Sequence, residues 1–298
     1  MAPSGSFAAT QFPGGMAQIV DRYDGVLLDQ WGVLHDGTTA YPAARDCLQR
    51  LKAAGKAVVI LSNSGRSGSD NELVLAGMGF SRQLYDHIVS AGDDARDALR
   101  VRTDSPYRDL GRRCLLLARP GEEHLAGGLG LDFTEDPARA DFILAMSMES
   151  KLQSVAGWNG LLRAAAARGL PLICANPDRH RVHADGSLLE APGAVARAYE
   201  ELGGVVHYHG KPQLGIYRTC LRLLGLAPSR VLAIGDSLDH DIVGASGAGL
   251  DSVFIAGGIH RQDLAWTGAG VPEPQSCTRL FAGASLAPGY CLPFFAWL

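Results

Sequence analysis

The chain has 298 residues, 47% of them hydrophobic and 19% charged, with a formal net charge of -4 at pH 7. That length suits two α/β domains, and the composition is that of a soluble globular protein. The slight acidity gives nothing that points to nucleic acid or to an anionic membrane. Six cysteines (Cys47, Cys114, Cys174, Cys220, Cys277, Cys291) show neither a CxxC pair nor metal-ligand spacing. They read as small core residues of a chain kept in a reducing, cytoplasmic setting.

Residues 1–20 form a Gly/Pro-containing lead-in with no basic residue and no apolar core, unlike a signal peptide. Next, Val26, Leu27 and Leu28 make a short apolar run that predicts a buried parallel strand. It delivers Asp29 at its carboxyl end, where open α/β sheets place their sites. A carboxylate there can attack phosphorus or carbon, or hold a metal; capping a turn is its commoner use.

A helix is predicted from Pro42 to Ala54, with Ala44, Cys47, Leu48 and Leu51 on one face and Gly55 closing it. Ala57–Leu61 is a second strand leading into Ser62-Asn63-Ser64-Gly65. Ser69 and Glu72 have capping-box spacing for the next helix, and His87–Ser90 is a third strand. Between about 94 and 205 the pattern repeats, with strands near Arg113–Ala118, Asp141–Met146 and Leu170–Ala175 and helices near 153–168 and 193–202. After 205 the first pattern resumes: Val205–His209, a helix through Tyr217, Cys220, Leu221 and Leu224, the strand Val231–Ile234, and a last strand at Ser252–Ala256. The uncharged tail Leu280–Leu298 is broken by Pro288, Pro293 and glycines, so it reads as core packing or a subunit contact rather than a membrane span.

Chemistry gathers at the predicted strand ends. Asp236, Asp239 and Asp241 crowd one loop, an arrangement that favours a bound cation. Asp29 with Asp236 would make an oxygen-ligand Mg²⁺ site, Asp241 orienting it, while Asp239 reads as a solvated charge or cap. Ser62 and the N–H groups of Asn63 and Ser64 could hold phosphate oxygens, although Ser/Asn pairs at helix entries are as often caps. Lys211, wedged in Gly210-Lys211-Pro212, is placed to balance a bound anion.

Strand ends in the order Asp, Ser, Lys, Asp resemble the haloacid dehalogenase-like (HAD) superfamily, over the first and last 90 residues. The resemblance implies a Rossmann-like parallel-sheet core, residues 1–93 and 206–298, with an inserted α/β C2-type cap over 94–205. It makes Asp29 the nucleophile, Ser62 and Lys211 the phosphate-binding pair, and Asp29, Asp236 and Asp241 ligands of Mg²⁺, joined by the backbone carbonyl of Trp31. Asn176-Pro177-Asp178, Gly193-Ala194 and Gly210-Lys211-Pro212 look like the class IIA branch, with its NagD-type and p-nitrophenyl phosphatase-like enzymes. In that branch residues at the positions of Asn176, Asp178 and Ala194 face the substrate. The implied activity is a phosphatase for small phosphorylated metabolites, and a homodimer is compatible with it.

One position departs from the pattern. Phosphatases of this family carry an acid two residues after the nucleophile, and here that residue is Trp31. Indole N–H does not titrate as an acid, so leaving-group protonation is lost unless His35 or Asp36 substitutes; two polar turn residues are the plainer reading of that pair. The alternatives are carbon–halogen hydrolysis, phosphonate cleavage through a cap lysine (Lys151), or a phosphate-binding module without turnover.

Overall fold

The computed structural model of the protein describes residues 9–149, 153–182, 187–284 and 286–298. Contacts divide the chain into two compact units. One comprises the chain up to Leu61 with Leu75–His87 and Tyr217–Leu298; the other comprises Ser62–Val74 and Ile88–Ile216.

Two 3-10 turns, Met16–Gln18 and Val20–Arg22, lead into β1 (Gly25–Leu28). Then come α1 (Pro42–Ala53), β2 (Ala57–Ser62), α2 (Gly68–Gly77), β3 (His87–Ser90) and α3 (Ala91–Val101). They are followed by β4 (Arg113–Leu117), β5 (Asp132–Phe133), β6 (Phe142–Ala145), α4 (Val155–Ala167) and β7 (Leu172–Cys174). An antiparallel pair, β8 (His180–Val182) and β9 (Leu188–Glu190), precedes α5 (Pro192–Glu201) and β10 (Val206–Tyr208). The chain closes with α6 (Leu214–Leu224), β11 (Val231–Gly235), a π-helical turn Leu238–Ile242, α7 (Val243–Gly247), β12 (Asp251–Ile255), α8 (Pro274–Gly283) and β13 (Tyr290–Leu292).

A six-stranded sheet has the order β13-β12-β11-β1-β2-β3. β1 lies between β2 and β11, parallel to both, with Leu28 opposite Ile60 and Ile234. All four of its residues are buried, which is why it reads as an unbroken apolar run. Fully burying one Leu or Ile of such a strand stabilises the fold by about 1.5–3 kcal/mol.

Two readings of local structure need correcting. The helix after β2 is entered two residues early: Ser67 and Asp70 make the reciprocal cap, Asp70 N–H donating to Ser67 Oγ at 3.1 Å and Ser67 N–H to Asp70 Oδ2 at 3.3 Å. Nor is β12 the last strand, since Tyr290–Leu292 pairs parallel with it at the sheet edge. The uncharged tail is core: Phe281, Cys291, Leu292 and Phe295 are buried. Among the described residues no helix is long and apolar enough to cross a membrane. All six cysteines are buried free thiols.

In the second unit five parallel strands run β10-β7-β6-β4-β5. Alternate residues face opposite sides. Leu115, Ile143 and Leu172 pack against Leu162 of α4 and Val195 and Tyr199 of α5. Cys114, Phe142, Leu144 and Ile173 pack with Ala95 and Leu99 of α3. The sequence reading passed over α3, although its buried residues (Ala91, Gly92, Ala95, Leu99) recur at helical spacing on one face.

Candidate active site

In the first unit, Asp29 follows β1 and Asp236 follows β11, while Asp241 lies in the π-helical turn. The backbone N–H of Asp29 still donates to Ile234 O at 2.8 Å, so the residue leaves the sheet with its direction fixed. The three carboxylates are 8%, 6% and 5% exposed, and each offers an oxygen within 4.8 Å of the other two. Ile259 N–H donates to Asp236 Oδ2 at 2.7 Å and Ser237 N–H to Asp241 Oδ2 at 3.0 Å. Gly258 admits this approach, for a Cβ there would fall 2.0 Å from Asp236 Oδ2. Three buried like charges this close repel one another strongly unless a cation sits among them. An all-oxygen donor set fits a hard divalent ion such as Mg²⁺. Asp239 is exposed and outside this trio.

Beyond Asp29 the chain makes a tight turn. The Trp31 indole lies over Gly37 and meets the His35 ring edge-on, with centroids 5.6 Å apart. His35 is 1% exposed, and its Nδ1 accepts the Gly37 N–H at 2.9 Å. The Asp36 carboxylate accepts from the N–H groups of Thr38 and Thr39. Both side chains therefore take part in the hydrogen bonding of the turn.

Burial pushes the His35 imidazole down to about 4 from an ordinary 6.5, the Asp36 charge offsetting only part of the effect. Between those values the unfolded chain binds the proton and the folded one does not. The contribution is therefore complete above pH 6.5 and is lost as pH falls toward 4. Urea unfolding at pH 7 and at pH 4.5 should show His35→Gln losing about 2–3 kcal/mol less than the parent over that interval. Equal losses would show that the imidazole is not held neutral.

In the second unit Ser62 closes β2 and is 5% exposed. Its Oγ accepts the Ser64 N–H at 3.2 Å. Asn63 is a hub. Its Oδ1 accepts the Lys211 N–H at 2.7 Å, and its Nδ2 donates to Asp178 Oδ1 at 2.8 Å and to Lys211 O at 3.3 Å. Lys211 is 3% exposed. Asn176 Oδ1 accepts the Asp178 N–H at 3.1 Å, and Asp178 O accepts the Gly193 N–H at 2.9 Å. Ala194, half-buried, stands in the first turn of α5.

One bonded set thus unites Asn63, Lys211, Asp178 and Asn176, drawn from three stretches singled out in the sequence. Lys151 lies outside the described residues. Sequence reasoning missed Gly258 and Ile259, although a glycine pair directly after a buried strand signals a close backbone approach. It also missed His209, just before Gly210-Lys211.

A family model described as haloacid dehalogenase-like hydrolase matches residues 26–132, and one described as HAD-hydrolase-like matches residues 208–276. Chronophin from Bos taurus is 30% identical over 255 residues, which is 82% of this chain and 84% of its own. Sugar-phosphatase AraL from Bacillus subtilis is 28% identical over 247 residues, 80% of this chain and 85% of its own. The crystal structure of a haloacid dehalogenase-like family hydrolase from Brucella suis is similar with a TM-score of 0.80 at 28% identity. It covers 96% of this chain and 100% of that one.

Proposed function

This chain belongs to the haloacid dehalogenase-like hydrolase family, and from that premise we propose that it is a Mg²⁺-dependent phosphatase of small phosphorylated metabolites. The observation that carries the reading is the buried trio Asp29, Asp236 and Asp241, which calls for a divalent cation. Asp29 supplies a carboxylate oxygen that attacks phosphorus. The bond to the leaving oxygen breaks, and water later hydrolyses the aspartyl-phosphate to restore Asp29. Ser62 and Lys211 hold the phosphoryl oxygens, Lys211 balancing their charge. The metal, when bound, lowers the repulsion between an anionic nucleophile and an anionic phosphate. Asp236 and Asp241 would hold it with Asp29, and Trp31 would contribute only its carbonyl.

Residues 94–205 serve as the substrate-choosing cap, with the loop of Asn176 and Asp178 and the first turn of α5 around Ala194 setting its shape. That a relative is named a sugar-phosphatase supports phosphorylated sugars as the first compounds to try. Carbon–halogen hydrolysis needs no cation and would leave three buried carboxylates facing one another, so it is the weaker reading.

The test is a panel of phosphorylated metabolites and p-nitrophenyl phosphate, assayed with Mg²⁺ and with excess chelator. Turnover is expected only with the metal. Hydrolysis undiminished by chelation would overturn the assignment, and chloride release from 2-haloacids would replace it.

A further inference from the structure

Four consecutive residues at the start of α3 each hold a different neighbour. Ala91 Cβ packs at the Gly210 position, where a glycine with φ +89° leaves only 2.7 Å for any added carbon. Gly92 N–H donates to Ser64 O at 3.0 Å, and a Cβ on Gly92 would fall 2.2 Å from Gly65 O. Asp93 Oδ2 accepts the Gly68 N–H at 2.6 Å. Asp94 Oδ2 meets His209 Nδ1 at 2.6 Å. One helical turn therefore touches both the serine loop after β2 and the Gly210-Lys211 turn.

The contact to His209 is the specific one. The ring is buried, at 7% exposure, and both of its nitrogens are engaged, Nδ1 with Asp94 and Nε2 with the Tyr107 hydroxyl at 2.6 Å. Its backbone N–H donates to Cys174 O at 2.9 Å, continuing the ladder between β10 and β7. An apolar ring would fill the same space without needing partners, so the polar chain buys orientation rather than packing. What it orients is the chain at Gly210, and one residue on stands Lys211, whose backbone is gripped from the other side by Asn63.

We propose that Asp94, His209 and Tyr107 are positioning residues for Lys211: a buried hydrogen-bonded chain, anchored on the first turn of α3, that fixes where the lysine ammonium stands relative to the serine loop. This rests on the phosphatase reading for its consequence, but the positioning itself can be measured without turnover.

Lys211 is one of four lysines in the chain, so amine acetylation followed by mass spectrometry can watch it singly. His209→Ala and Asp94→Ala are expected to raise the acetylation rate of Lys211 about tenfold, with Lys52 and Lys56 unchanged as internal references for the fold. The same variants should weaken binding of inorganic phosphate, titrated with Mg²⁺, about tenfold. They should raise KM for p-nitrophenyl phosphate in parallel, by about tenfold, the low end of what removing an outer partner of a ligating group does, and leave kcat within about threefold. Asp94→Asn keeps an acceptor for His209 Nδ1–H and should stay within about twofold of the parent.

Unchanged protection of Lys211 in both alanine variants overturns the proposal, as does Asp94→Asn matching Asp94→Ala. Should Lys211 lose its protection while the parent neither binds phosphate nor hydrolyses the ester, the positioning stands and the phosphatase reading falls.

Discussion

Asp29→Asn is expected to lower turnover of p-nitrophenyl phosphate by at least about 10⁴-fold, because it removes the group on which the covalent step takes place. The substitution is nearly isosteric, and the backbone bond from residue 29 to Ile234 O does not involve the side chain. The sheet should therefore be undisturbed. An amide oxygen is a far poorer nucleophile than a carboxylate, so the phosphoryl group has nowhere to go. Binding should respond differently. Lys211 and Ser62 are untouched, and Asp236 and Asp241 still offer oxygens to a cation, so inorganic phosphate should bind with Mg²⁺ in the variant. The paired measurement is kcat by nitrophenolate release and phosphate affinity by calorimetry. Turnover equal to that of the parent would remove Asp29 from the mechanism.

Across phosphate monoesters running from alkyl to p-nitrophenyl, the parent rate is expected to span about 10²–10⁴-fold, the usual worth of general-acid catalysis. Aryl and acyl phosphates release a stable anion and need little help, whereas an alkoxide needs a proton. Trp31 cannot supply it. The His35 imidazole, held near 4 by burial, carries no extra proton to donate at neutral pH, and its Nδ1 already accepts from Gly37. His35→Ala should therefore leave the slope of rate against leaving-group pKa unchanged.

Trp31→Asp should flatten that slope by speeding the alkyl esters selectively. Its stability will fall, because the indole covers Gly37 and packs on the His35 ring, and removing a large aromatic leaves a gap. The comparison belongs at a temperature where the variant is folded. A shallow dependence in the parent, unaltered by His35→Ala, would mean that another group protonates the leaving oxygen.

The strand-end acids were legible because of how parallel sheets are built. A strand buried on both faces must be apolar throughout, so Gly25–Leu28 and Val231–Gly235 stand out, and the Asp that ends each run is conspicuous. Much of the rest was not legible, for particular reasons. Ser67 with Asp70 and Ser69 with Glu72 both satisfy capping-box spacing, and only the packed structure selects the first. β13 is three residues long, too short for a period to register. The amide of Asn63 is engaged by Asp178 and Lys211, residues far along the chain, and such a bond leaves no local trace. The same holds for Asp94 and His209. Sequence pattern marks which residues leave a strand, and the tertiary fold decides which of them are tied together.

The central place of β1 also bears on synthesis. Its Gly25 pairs with Val231 on one side and with Ala57 on the other. A ribosome that has finished the first 230 residues has long since released one of these partners and has not yet begun the other. Throughout that interval a strand buried along its whole length in the finished fold has an open edge, and such an edge is a template for pairing with other chains. Pairing so distant in sequence is also slow to form, since a long loop must close before any contact rewards it. The nascent protein is thus most exposed to aggregation while the long stretch of chain that separates β1 from β11 in sequence is being made.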